Sequence, residues 1–133
     1  MDGMDLSPVK LFVGMPEGDL KKLAQQMREV RHPKGTEIAV RGTEGVGFMV
    51  ILDGEADVNT PDGGRMVLGP GDHFGEMALL DHEGRSATVT ARTDLRLAAI
   101  LEWNFKPFLI EHPEVTYRML QTLSRRLREA EAR

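Results

Sequence analysis

The spacing of apolar residues changes character twice along the chain. From about Glu17 to Arg28, Leu20, Leu23, Ala24 and Met27 fall at the i, i+3, i+4, i+7 spacing of a helix with one buried face. Lys21, Lys22, Gln25 and Gln26 occupy the opposite face. The segment His32-Pro33-Lys34-Gly35 ends that helix, because the residue before a proline avoids the α region. From Thr36 to Leu101 the helical period disappears. Phe48 to Leu52 is a short apolar run between Gly47 and Asp53-Gly54, the pattern of a strand buried on both faces. Ala56 to Thr60 alternates, Pro61-Asp62-Gly63-Gly64 is a turn signal, and Met66-Val67-Leu68 returns from it, which predicts a hairpin. Gly69-Pro70-Gly71-Asp72 marks another sharp turn, and Ala87 to Ala91 and Leu95 to Leu101 are the last two predicted strands.

The helical period then returns. Trp103 to Ile110 is predicted as a short helix interrupted near Pro107, and Pro113 suits the first turn of a second helix. Val115, Met119, Leu123, Leu127 and Ala130 form one apolar seam along it, with Leu120 beside the seam. Strands at this spacing between two helical ends predict a mainly β fold with flanking α: an antiparallel β-roll, either closed or of the double-sheet, jelly-roll type, with an N-terminal helix and a long C-terminal helix. Residues 1–133 read as a single domain, with an N-terminal helical part at about 9–31, the β-roll at 34–102 and C-terminal helices at 103–133.

Composition sharpens this division. Eleven of the 14 glycines lie between Gly35 and Gly84, where turns are needed, and none follows Gly84. At 133 residues, 41% hydrophobic and 29% charged, the chain suits one folded domain with a core rather than a disordered segment. Net charge is −4, so there is no global basic footprint for nucleic acid. The segment after Pro113 carries five Arg against three Glu, as either a solvated face or a dimerising helix. Cysteine is absent, which removes disulfides, thiolate metal sites and a Cys nucleophile. The N-terminus lacks the basic and apolar regions of a signal peptide, and the apolar runs are far too short to span a membrane. A cytoplasmic location is the resulting expectation.

One stretch carries chemistry: Phe74-Gly75-Glu76-Met77-Ala78-Leu79, then after five residues Arg85-Ser86-Ala87-Thr88-Val89. Gly75 permits close backbone approach to a ligand. A helical turn from Glu76 would present free N–H groups to an anion. Arg85 offers a planar donor fork for a phosphate, Ser86 a hydroxyl, and Glu76 an acceptor for a sugar hydroxyl. A carboxylate for a diol beside one Arg for a phosphate describes a nucleotide pocket. A single Arg suits a singly charged phosphodiester, and no P-loop is present for a triphosphate.

These residues resemble the phosphate-binding cassette of the cyclic nucleotide-binding domain family: apolar-Gly-Glu-x-small-apolar, a short gap, then Arg-Ser/Thr/Ala-Ala-x-apolar, with every position filled. A second stretch is similar to the family's upstream signature: Gly42-Thr43-Glu44-Gly45, then Phe48-Met49-Val50-Ile51 and Gly54, although Ala39 replaces the usual branched residue. The resemblance implies a ligand, cyclic AMP or cyclic GMP, and no metal, cofactor or catalytic residue. It implies that Glu76 accepts the ribose 2′-hydroxyl and Arg85 pairs with the cyclic phosphate. Ser86 and backbone N–H groups around Gly75, Glu76, Met77, Ala78 and Ala87 would complete the cradle. In the family's bacterial catabolite-activator branch, an adjacent Thr and Ser late on the long helix bind adenine. Aligning Arg125-Arg126-Leu127 with that branch puts Ala130 and Glu131 there, so base recognition must differ or be weaker. Ser86 does not settle the base; cyclic AMP is favoured.

The implied function is a regulatory sensor, not an enzyme, signalling through movement of the C-terminal helix. Its expected partners are the cyclic nucleotide and either a second copy through that helix or a fused or separate effector. The sequence ends at Arg133, before the place where the family's transcription regulators carry a helix-turn-helix. Direct nucleic-acid binding of that kind is therefore not expected of it, whether it works alone or as a fragment of a larger regulator, channel or transporter. Two alternatives stay open. Gly69-Pro70-Gly71-Asp72-His73 with Glu76 faintly resembles the metal set of a cupin, a β-roll enzyme fold, but no second His stands at metal spacing to His73. The other is a degenerate domain that keeps the roll without the ligand.

Overall fold

The computed structural model describes residues 4–39, 47–60, 63–75 and 87–132. A 3-10 turn at Lys10–Phe12 is followed by α1 (Glu17–Gln26). Eight strands come next: β1 (Arg28–His32), β2 (Glu37–Ala39), β3 (Gly47–Asp53), β4 (Ala56–Asn59), β5 (Arg65–Leu68), β6 (His73–Phe74), β7 (Thr88–Ala91) and β8 (Leu95–Leu101). Two helices, α2 (Glu102–Glu111) and α3 (Pro113–Glu131), complete the described chain. The strands form two four-stranded sheets in the orders β1-β8-β3-β6 and β2-β7-β4-β5, with every pairing antiparallel.

The central strands β3 and β8 separate two apolar cores. Phe48 and Val50 of β3, with Ala98 and Ile100 of β8, pack on the helical side with Leu23, Phe105, Phe108, Val115 and Met119. The alternate residues Met49, Ile51, Leu97 and Ala99 face the second sheet, where they meet Ala56, Val58, Leu68, Val89 and Ala91. Side chains alternate between the faces of a strand, so a sheet covered on both sides must be apolar at every position. That is why Phe48 to Leu52 reads as an unbroken run.

The hairpin forms as expected, with Asn59 opposite Arg65 and the Gly64 carbonyl accepting from the Thr60 N–H at 2.9 Å. Gly54, at the β3–β4 turn, has φ +91°, and a Cβ there would stand 2.2 Å from the Asp94 carbonyl oxygen. This glycine of the upstream signature is therefore fixed by sterics at the turn.

Three expectations change. The first helix ends at Gln26, not near Arg28; Met27 is extended, and residues 28–32, placed in the N-terminal helical part, form β1 at the edge of the first sheet. Its sequence, Arg-Glu-Val-Arg-His, has one apolar residue, as suits a charged edge strand, and so carries no strand period. α2 runs through Pro107 without interruption: burial of Phe105 and Phe108 offsets the hydrogen bond the proline removes. The seam on α3 is covered only in part. Val115 and Met119 are buried and Leu123 packs against the helical-side core, but Leu127 and Ala130 are exposed. Each i+4 step turns the side chain by about 40° about the axis, so by Leu127 the stripe has rotated off the roll.

Candidate functional site

Glu76, Met77, Ala78, Arg85 and Ser86 lie outside the described residues, as does Gly42-Thr43-Glu44-Gly45. Gly75 and Ala87 bracket the cassette, and their placement is informative. β6 delivers the chain to Gly75 from the edge of the first sheet, with Phe74 opposite Met49 and His73 opposite Val50. β7, which Ala87 precedes, is an interior strand of the second sheet, paired with β2 and β4. The chain thus leaves the first sheet at Gly75 and enters the second after Ala87. Both ends are held by the same inter-sheet core, since Phe74 is buried in it and Ala87 packs against it. Gly75 has φ +99°, a conformation that a side chain disfavours.

The walls of the roll add residues that the sequence did not single out. Met66 stands opposite Val58, and Val58 opposite Val89, so the three share the inner face. Val58 and Val89 are buried, yet Met66 is 49% exposed. The inner face therefore opens at the end of the β4–β5 hairpin. Sequence alternation across the hairpin held the signal, because Met66 pairs with an inward Val58 and yet lies next to the turn.

The turn before β6 is tied to the N-terminal segment. The Lys10 Nζ donates to Asp72 Oδ1 at 2.7 Å, the Gly69 N–H to Asp72 Oδ2 at 2.8 Å, and the Lys10 N–H to the Gly71 carbonyl at 3.2 Å. Partial burial pushes the Asp72 carboxyl upward. The hydrogen bonds from Lys10 and Gly69 and the positive charges of Lys10 and His73 outweigh it and hold the carboxyl below the usual carboxylate range. α3 joins the same region, where Arg118 Nη1 donates to the Leu11 carbonyl at 3.2 Å.

His73 does not face the roll interior. Its ring centroid lies 5.5 Å from that of Phe48, in the core under the helices. It therefore stands away from the inner face where a cupin-type ligand set with Glu76 would converge. Among the described residues no three His, Asp or Glu side chains group to hold a metal, and no helix is long and apolar enough to cross a membrane.

Two antiparallel four-stranded sheets, an inner face open at one hairpin, and flanking helices define the class of fold: a β-roll. The sequence pattern of the cyclic nucleotide-binding domain matches residues 29–112, and the chain belongs to that family. It is 27% identical over 128 residues to a CRP-like cAMP-activated global transcriptional regulator of Mycobacterium tuberculosis, covering 92% of this chain and 57% of that protein. It is 33% identical over 106 residues to a cAMP-dependent protein kinase regulatory subunit of Aspergillus niger, covering 78% of this chain and 26% of the subunit. The crystal structure of the Thermus thermophilus catabolite activator protein superposes with a TM-score of 0.84 at 30% identity, over 95% of this chain and 61% of that one. The chain thus spans from about a quarter to about three fifths of these longer proteins.

Proposed function

We propose that this domain senses a cyclic nucleotide monophosphate, prefers cyclic AMP to cyclic GMP, and reports occupancy through α3. The observation that carries the reading is the complete cassette, Phe74 to Val89, set in a crossover whose two ends are anchored in the inter-sheet core. Glu76 accepts the ribose 2′-hydroxyl, Arg85 pairs with the phosphate, and Ser86 with the backbone N–H groups of residues 75–78 and 87 completes the cradle. The inner face beside Met66 receives the base. Relatives named for cAMP in two different regulatory settings support the preference for adenine.

The domain acts as a sensor in the cytoplasm and catalyses nothing. Its output passes to a second copy or an effector domain rather than directly to nucleic acid. The exposed Tyr117, Leu120 and Leu127 of α3 supply the apolar surface for that contact. Calorimetric titration of the chain with cyclic AMP and with cyclic GMP tests the reading. Saturable binding of both, tighter for cyclic AMP, is expected. Binding of neither overturns the sensor reading, and equal or tighter binding of cyclic GMP overturns the base preference.

A further inference from the structure

A polar cavity of about 640 Å³ lies between α3, the Lys10–Phe12 turn and the Gly71-Asp72-His73 segment. Its lining includes Lys10, Asp72, Arg118, Thr122, Arg125 and Glu129. His73 also lines it, facing Phe48 and the helical-side core, while Phe74 faces the inter-sheet core. β6 therefore separates this cavity from the interior of the roll.

The charges here are unevenly matched. Asp72 is taken up by Lys10 and the Gly69 N–H. Arg118 is half-buried, gives one nitrogen to the Leu11 carbonyl, and has no carboxylate partner among the described residues. Its guanidinium lies against Gly14, where a Cβ would stand 2.9 Å from Nη2. Arg125 also lacks a partner among the described residues. Arg118, Thr122 and Arg125 follow at i, i+4 and i+7, so two donor forks flank one hydroxyl on a single helix face. A partly buried guanidinium normally has an anion beside it. Two forks with a hydroxyl between them match the oxygens of a phosphate.

We propose that this cavity binds the dianionic phosphate group of a small molecule, at a site distinct from the cassette. Arg118 and Arg125 hold the oxygens, Thr122 donates between them, and Lys10 adds positive charge from the opposite wall. Glu129, one turn beyond Arg125, opposes the ligand and limits its affinity.

The test is a proton–nitrogen NMR titration of the full chain with inorganic phosphate against chloride at constant ionic strength. Saturable shifts are expected for the amides of residues 10–12, 71–73 and 121–125, and phosphate should still bind there when cyclic AMP is saturating. Arg125→Ala should weaken binding about tenfold or more, the loss of a hydrogen bond to a charged group. Arg118→Lys, which keeps the charge but loses the fork, should also weaken it, and Glu129→Gln should strengthen it. Three results overturn the site: shifts that never saturate, saturable shifts that Arg125→Ala leaves unchanged, or displacement of phosphate by cyclic AMP, which would assign the anion to the cassette. A failure here leaves the cyclic AMP titration as it stands, so the two readings fall separately.

Discussion

In the proposed site Glu76 and Arg85 divide the recognition of one ligand between them, and each assignment has its own consequence. A carboxylate that accepts the ribose 2′-hydroxyl discriminates ribose from 2′-deoxyribose by the worth of one charged hydrogen bond, about 1.5–3 kcal/mol. Fluorescence competition should show the 2′-deoxy ligand binding about ten- to a hundredfold more weakly, and Glu76→Gln should narrow that gap. Equal affinity for the two ligands would remove the role given to Glu76. Asp72 works differently, as a brace for the turn before β6. Its folded pKa lies below the unfolded one, so its stabilisation is present above the unfolded value, about 3.9, and is lost as pH falls through the folded value. Asp72→Asn should cost about 1–3 kcal/mol at neutral pH. Thermal melts of the two proteins should converge as the pH falls below the folded value, and a deficit that is flat with pH would contradict the brace. Membership of the family was legible in the sequence because the pattern from Phe74 to Val89 is local and contiguous apart from one short gap. Asp72 was legible only as a turn residue, since its partner Lys10 lies 62 positions away.

Among the elements, those with an unbroken or alternating apolar pattern were legible: β3, β8, the β4–β5 hairpin and the start of α3 at Pro113. β1 was not, because an edge strand with one apolar residue depends on its pairing with β8 for its conformation. Continuity of α2 through Pro107 depends likewise on tertiary burial, which outweighs a local breaker. α3 bears the proposed output. Its first half is fixed by Val115 and Met119, while Leu127 and the residues beyond it have little to pack on. A helix end held only by its own hydrogen bonds frays readily. Amide hydrogen exchange should therefore show protection rising across residues 123–130 when cyclic AMP is added. Unchanged protection there, with new protection at residues 75–87, would make α3 static and remove the switch.

At the scale of the molecule, sheet 1 is the shared wall between two cores, one closed by helices and one by the second sheet. The presence of a roll was legible from strand spacing and glycine distribution. The strand order was not, because β8 pairs with β1 and β3 across long loops whose register no local pattern encodes. The chain leaves the first sheet at Gly75 and enters the second after Ala87, and the proposed phosphate-binding residues fall between these two points in the sequence. Within Phe74 to Ala91 Arg85 is the only Arg or Lys, which makes it the direct test of the whole account. Calorimetric titration of cyclic AMP into the parent chain and into Arg85→Ala, with the fold of each checked by circular dichroism, should show a loss of about 3–5 kcal/mol. That is about two to three and a half decades in affinity, with an unchanged fold. Binding as tight in Arg85→Ala as in the parent would contradict the account.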